Sequence, residues 1–249
     1  MDGRTLTFRL IGINNQNFIM RDAETGTWWQ QVTGVAIQGP LKGRKLEGVV
    51  HDEISFAIWK RESPGGRVLK PAGEFADLYE DADWERQMKK VRTVTPEKKD
   101  DPLKPRAVVV GVTVNGKSKA YPFPLLRAQS PLLDRLGGVP IVLVVGEDRK
   151  SIRVFDRTQG GRALELFARR GTRPLRLFDA ETGSEWDFAG TSVSGPLAGR
   201  QLAKIKVLKE YWFDWKIYQP ETAVYTLGST QGAAAEGPAE EEAVKPAEE

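Results

Sequence analysis

The 249-residue chain contains no cysteine and only one histidine, His51. The absence of cysteine excludes disulfides, thiolate nucleophiles and cysteine-ligated zinc, and it leaves the redox compartment undecided. A single histidine excludes histidine-cluster metal sites and any Ser-His-Asp triad that does not use His51. The sequence therefore predicts neither a metal nor another cofactor, and we interpret His51 as a polar surface residue.

Long apolar runs are also missing. None approaches the ~20 residues of a membrane-spanning helix, so the sequence predicts no transmembrane segment. No export signal follows Met1, so the chain as written is predicted to be cytoplasmic, whereas a start upstream of Met1 would allow export.

Net charge is small and unevenly distributed. The formal net charge is +3. Residues 229–249 contain six Glu and one Lys, a net of −5, which leaves +8 for the rest of the chain. The basic residues are interspersed with acids and form no single patch, which disfavours nucleic acid as a partner. No other partner is indicated.

One set of motifs occurs twice, and such matched spacing indicates an internal repeat. Each copy has an Asp-Ala-Glu-Thr-Gly turn, then Gly-Pro-Leu-x-Gly-Arg, then an aromatic segment that ends in Trp-Lys. From the Gly of Gly-Pro-Leu to the Trp of Trp-Lys is 20 positions in both copies. The copies are Asp22–Trp29, Gly39–Arg44 and Phe56–Lys60, and Asp179–Trp186, Gly195–Arg200 and Trp212–Lys216.

The local patterns predict a β-rich α+β fold of two related antiparallel-sheet units with short aromatic helices. Asn17–Arg21 and Thr27–Val32 are the predicted arms of a hairpin, and Lys45–Val50 is a further predicted strand. A short helix would carry Phe56 and Trp59 on one face. Val139–Val145 is nearly continuously apolar, which is typical of a buried strand.

The domain prediction has four parts. Residues 1–70 are a truncated first repeat, and residues 105–228 are a second, more complete unit. Residues 71–104 are charged and poor in apolar side chains, which indicates a linker or surface arm. Residues 229–249 have almost nothing to bury and are predicted to be a disordered acidic tail. We expect residues 1–70 to lean on the second unit.

Several segments of the second unit together resemble a bacterial and archaeal family, domain of unknown function 3179. They are Arg106–Val112, Lys119–Pro122, Asp134 with Gly137–Pro140, Val154–Arg157 and the repeat motifs. The resemblance covers about 105–228 nearly end to end and residues 2–70 as the C-terminal part of a second copy. The family pattern has a Cys-Pro-x-Cys-like segment where this chain has Val144–Asp148. The resemblance implies no established activity.

Gly111–Ser118 fits the phosphate-binding P-loop pattern. A P-loop requires a helix that begins at the lysine, but Pro122 and Pro124 fall within its second turn. The Val-Thr-Val run and Asn115-Gly116 instead predict a β-hairpin with a two-residue turn. We therefore predict no nucleotide site.

The candidate catalytic residues are the carboxylates Asp156, Asp179 and Glu181. Two carboxylates could act as general acid and base. Alternatively, a carboxylate in a turn caps backbone N–H groups, and this is the commoner role.

The candidate ligand-binding residues are Arg153, Arg157, Trp186 and Trp212. The arginines lie in the most basic stretch and could bind an anion or an acidic glycan, although scattered surface charge is the default. Exposed tryptophans could stack on sugar rings or bases. The favoured interpretation is that Trp212 and Trp215 pin a short helix to the sheet.

The functional prediction is a non-catalytic binding or scaffold module. The alternative is a hydrolase that acts on a glycan or phosphoester through carboxylates near residues 179–187.

Overall fold

The computed structural model describes residues 1–227 apart from residues 2, 15, 16, 82, 89, 92, 94–98 and 170. The described part is β-rich with few short helices, as predicted. The predicted tail, residues 229–249, lies outside the described residues.

The first part of the chain forms an antiparallel four-stranded meander, which we call the N-terminal meander. After it come a helix, a 3₁₀ helix over Gly73–Leu78 and a second helix. The elements are β1 (Phe8–Asn14), β2 (Asn17–Asp22), β3 (Trp28–Gln30), β4 (Ala36–Gln38), α1 (Phe56–Glu62) and α2 (Trp84–Met88).

Two four-stranded sheets form the centre of the protein. The first has the order β17-β5-β6-β18, and the second has the order β16-β9-β8-β7. All pairs in them are antiparallel except β18 with β6. Their elements, with α3 and α4, are β5 (Val108–Val114), β6 (Lys117–Pro122), α3 (Phe123–Gln129), β7 (Leu132–Leu136), β8 (Val139–Val145), β9 (Ile152–Asp156), β16 (Ala203–Ile205), β17 (Val207–Tyr211), α4 (Trp212–Tyr218) and β18 (Ala223–Val224).

Between β9 and β16 the chain forms a small hairpin and then the C-terminal meander, β12-β13-β14-β15. The hairpin strands are β10 (Thr158–Gln159) and β11 (Arg162–Ala163). The meander strands are β12 (Leu166–Ala168), β13 (Arg176–Asp179), β14 (Glu185–Asp187) and β15 (Ser192–Ser194).

Both central sheets are apolar on both faces. Val110 and Val112 of β5 pack with Ile141 and Leu143 of β8 in the core between the sheets. Successive strand residues point to opposite faces, so Val142 of β8 belongs to a second core. The C-terminal meander and α1 build this second core against the outer face of β8 and β9. This double burial explains the continuous apolar run of β8.

The outer face of the first sheet is covered by α4. Trp212 and Trp215 pack with Val109 and Ala120 in a third apolar cluster. A Cβ on Gly111 would lie 2.3 Å from the Trp215 ring, so only glycine leaves room for this contact. The predicted role of Trp212 and Trp215 as anchors therefore matches their positions.

The two meanders contain the same turn. Asp22 accepts hydrogen bonds from the Thr25 backbone N–H at 2.5 Å and from Trp29 Nε1 at 2.7 Å. Asp179 accepts equivalent bonds from Thr182 at 2.6 Å and Trp186 Nε1 at 2.8 Å. Burial raises the pKa of Asp22, but the hydrogen bonds from Trp29 and Thr25 outweigh burial and lower it.

The matching extends beyond the turn. Glu24 accepts the Thr7 N–H, and Glu181 accepts the Glu165 N–H in the same position of the other meander. Gly39 and Gly195 have φ of 102° and 88°, and a Cβ on either would lie within 2.8 Å of the strand opposite. These contacts explain the Asp, Glu and Gly positions of the repeated motif.

The first helix forms as predicted, with Phe56 and Trp59 on one face, but the segment before it differs from expectation. Phe56 is 61% exposed and stacks on Trp59, whereas Ile58 is the residue of α1 that is buried. The helix docks on β8 and β9 through Ile58, so the aromatic pair stays near the surface. The predicted strand Lys45–Val50 was wrong, because only Lys45 forms a bridge, with Val35, and no neighbouring strand pairs with the rest.

Asp22→Asn and Asp179→Asn should each lower the free energy of unfolding by about 2 kcal/mol, because each weakens several bonds to one buried carboxylate. Urea denaturation of the full chain measures the effect. Asp77→Asn, at an exposed position, is the control and should change little. Opposite signs for the two variants would contradict an equivalent role for the two turns.

Candidate functional site

The structure places the three predicted catalytic carboxylates in separate backbone contacts. The Asp179 side chain is buried in its turn. Both oxygens of Glu181 accept the Glu165 N–H, at 2.9 and 3.0 Å. Asp156 accepts the Thr158 N–H at 2.8 Å. Each carboxylate thus has a local structural contact, as the turn interpretation proposes.

Arg153 is buried and already holds two carboxylates of its own chain. Its guanidinium forms paired hydrogen bonds with Asp52 at 2.8 and 3.0 Å and with Glu62 at 2.7 and 2.9 Å. Its Cζ lies 4.7 Å from the centroid of the Phe188 ring, and Lys204 also contacts Asp52. Burial lowers the pKa of Arg153, but the bonds to Glu62 and Asp52 outweigh burial and raise it. We call this set the Arg153 clamp.

Arg157 lies nearer to the candidate acids. It donates to the Leu164 carbonyl at 2.6 Å, and its Nε has no partner among the described residues. Burial and the positive charge of Arg135 lower its pKa, while the negative charges of Glu165, Glu181 and Asp156 oppose that shift. The structure therefore brings Arg157 into electrostatic range of Asp156 and Glu181.

Neither predicted aromatic ligand contact is exposed. Trp186 is fully buried and Trp212 is 3% exposed, so both lie in the core. The P-loop-like segment is the β5–β6 hairpin, in which Val114 pairs with Lys117. Asn115 and Gly116 both have positive φ, as a tight two-residue turn requires.

A cavity of about 450 Å³ lies elsewhere, beside β17 and α4. One wall consists of residues 31–34, which connect β3 and β4 within the N-terminal meander, and of residues 45–49, which follow it. The opposite wall consists of β17, α4 and two positions of β5. This volume falls in the ordinary range for small-molecule pockets.

Two carboxyl groups line this cavity side by side. Glu210 lies on the same face of β17 as Leu208, and Asp214 lies in the first turn of α4. Their carboxyls are hydrogen bonded to each other, and Asn17 Nδ2 donates to Asp214 Oδ1 at 2.6 Å. Asp214 is only 4% exposed. Within the described ranges, neither carboxyl forms an ion pair with a lysine or arginine.

Both carboxyl pKa values are raised. Burial, and then the negative charges of Asp214 and Glu53, raise the pKa of Glu210 to about 7. Burial also raises the pKa of Asp214, although bonds from Asn17 and Glu210 offset part of this shift. The pair therefore shares a proton below neutral pH and gains a second negative charge above it.

Tyr218 completes the polar lining. Burial and the negative charge of Asp214 raise the pKa of its phenol, whereas a hydrogen bond with Asn17 opposes this shift. The hydroxyl oxygen is buried, and its contact with Asn17 falls outside strict hydrogen-bond geometry. Asn17 therefore lies beside both Asp214 and Tyr218.

The matched positions around α1 are apolar. Aligning α1 and α4 at Phe56 and Trp212 places Ile54 opposite Glu210 and Ile58 opposite Asp214. Ile58 is buried in the second core, and Ile54 packs against that core. The local backbone therefore tolerates apolar side chains at both positions, and the fold alone does not require a carboxyl pair.

Sequence reasoning missed Glu210, Asp214, Tyr218 and Asn17. The acids of the motif that occurs twice were favoured as candidates, and these acids form the turn that both meanders contain. The sequence does contain a signal for the carboxyl pair: at each of two matched positions, one copy of the motif has isoleucine where the other has a carboxyl group.

The described residues thus form a β-rich protein with a cavity, lined in part by two carboxyl groups, between its N-terminal part and a central sheet. The sequence profile of the family described as "Protein of unknown function (DUF3179)" matches residues 1–222. The chain belongs to that family. No curated protein and no solved structure matches it. None of the described helices is long and apolar enough to cross a membrane.

Arg153→Met should lower the free energy of unfolding by about 3 kcal/mol, because it leaves Asp52 and Glu62 partly buried without their shared cation. The matched control is Arg61→Met, which breaks the more exposed Arg61–Glu147 pair and should cost less than about 1 kcal/mol. Equal losses, measured by urea denaturation, would contradict a structural role for the clamp.

Proposed function

We propose that this protein is a non-catalytic binding module whose ligand site is the cavity beside Glu210 and Asp214. The observation that carries the proposal is the carboxyl pair itself. A half-buried and a fully buried acid that share a proton cost stability, and the isoleucines at the matched positions, Ile54 and Ile58, avoid that cost. A costly polar group that the fold does not require is typical of a functional site.

The surroundings support binding. The cavity has an apolar side, formed in part by Val207, Leu208 and Trp215, and a few polar groups at one end. Such a combination fixes the orientation of a small ligand. The hydrolase alternative through Asp179 and Glu181 has less support, because both carboxylates are engaged by backbone N–H groups.

We also propose that the chain is built from two related copies, residues 1–70 and 105–228, joined by residues 71–104. The equivalent bonds of Asp22 and Asp179, and those of Glu24 and Glu181, support this arrangement. The ends of α1 and α4 support it as well, since each is closed by a backbone bond to the carbonyl of its Trp, Trp59 or Trp215. In this view the first copy keeps the shared turn, and the second copy has acquired the polar site. The comparison of Asp22→Asn with Asp179→Asn tests the shared turn.

The double variant Glu210→Ile/Asp214→Ile should abolish ligand binding and raise the free energy of unfolding by about 1–3 kcal/mol, because it reproduces the apolar pair of α1. Ligand-observed NMR with a library of amines, sugars, organic acids and nucleosides measures binding, and urea denaturation measures stability. Glu74→Gln/Asp77→Asn, which neutralises two exposed acids far along the chain, is the control for net charge. A library in which no compound binds, or in which each hit binds the Ile variant equally well, would overturn the proposed site.

A further inference from the structure

Resting on the proposed function, we infer that the cavity selects a small organic cation, an ammonium or guanidinium compound. The geometry behind this inference is an unneutralised carboxyl pair, a buried tyrosine hydroxyl and an apolar wall around one cavity.

The carboxyl pair differs from the other acids of low exposure in what neutralises or satisfies it. The buried Asp22 and Asp179 are satisfied by several N–H and O–H donors within their turns. The partly buried acids have a basic partner instead: Asp134 contacts Lys119 at 2.7 Å, and Arg153 lies between Asp52 and Glu62. Glu210 and Asp214 lack such a partner within the described ranges. Because buried charges are normally paired, a cationic ligand would supply the missing partner.

Other charged side chains also face the carboxyl pair or line the cavity. Lys45, Glu47 and Lys206 line the cavity, but all three are exposed and so lie toward its mouth. Glu53 acts on Glu210 from the segment before α1, and its own carboxylate is held by Lys209 at 2.5 Å. The buried end of the cavity is therefore negative, whereas the mouth is mixed.

The hydrogen-bonding groups at the buried end of the cavity also restrict the ligand. Carboxylate oxygens only accept, and the Tyr218 hydroxyl, which lies beside Asn17, has two lone pairs and can accept a further bond. A ligand that reaches this end therefore needs several N–H donors. Ammonium and guanidinium groups offer three and five donors respectively, and both carry the required charge.

The lining of the cavity favours an organic cation over a metal ion. No group of three or more His, Cys, Asp or Glu side chains suited to a metal occurs among the described residues. Calcium takes six to eight oxygen ligands, of which two carboxyls and a phenol would supply only part. The wall formed by Val207, Leu208 and Trp215 instead suits a short carbon chain.

The test uses the full chain and isothermal titration calorimetry with putrescine and agmatine. The comparison ligands are 1,4-butanediol, succinate and CaCl₂. Both amines should bind and the comparison ligands should not. Affinity should rise roughly tenfold from pH 6 to pH 8 as the Glu210 carboxyl loses its proton, because a group with a pKa near 7 changes from about one tenth to about nine tenths ionised.

Glu210→Gln/Asp214→Asn keeps the size of both side chains and should lose this binding, whereas Glu74→Gln/Asp77→Asn should retain it. Tyr218→Phe should weaken binding without removing its pH dependence. Binding of the diol, succinate or calcium at this cavity, without binding of either amine, would overturn the ligand class while leaving a binding site in place. Binding of neither amine, or amine binding that survives Glu210→Gln/Asp214→Asn, also overturns it. A compound from the wider library that depends on Glu210 and Asp214 would still support the proposed function.

Discussion

The arrangement of the protein depends on one buried guanidinium. Arg153 projects from a central strand and holds Asp52, which precedes α1, and Glu62, the last residue of α1. This contact fixes the segment that follows residues 45–49, and those residues form one wall of the cavity. The N-terminal part of the chain is thereby held beside β17 and α4 by charge pairing as well as by the apolar packing of Ile58.

The two meanders share one turn, but the helices that follow them lie in different environments. In both meanders, an aspartate holds its own turn and an indole N–H, so the turn carboxylates are structural. The helices that follow have the same length but present different side chains at matched positions. Ile58 completes an apolar core, whereas Asp214 faces a cavity and shares a hydrogen bond with Glu210. Apolar burial stabilises the first helix, and the second gives up part of that stabilisation in exchange for a polar site.

Local structure followed well from sequence because it depends on neighbours in the chain. The Asn115-Gly116 turn, the buried strand Val139–Val145 and the anchoring of α4 by Trp212 and Trp215 are of this kind. Features set by distant contacts did not follow. Lys45–Val50 has strand-like residues but no partner strand, and Arg153 in a basic stretch looked like an anion site until Asp52 and Glu62 were placed against it. Asn17 reaches Asp214 across almost the whole chain, so no local pattern could join them.

The central claim is that the Glu210 carboxyl is buried beside a second carboxyl with no basic partner. The most direct measurement follows the side-chain carboxyl ¹³C resonance of Glu210 against pH, assigned by its loss in Glu210→Gln. We expect the Glu210 carboxyl to titrate with a midpoint of about 7. A midpoint near the ordinary glutamate value of about 4.3 would contradict it, because the carboxyl would then be solvated and the cavity would lack its defining charge.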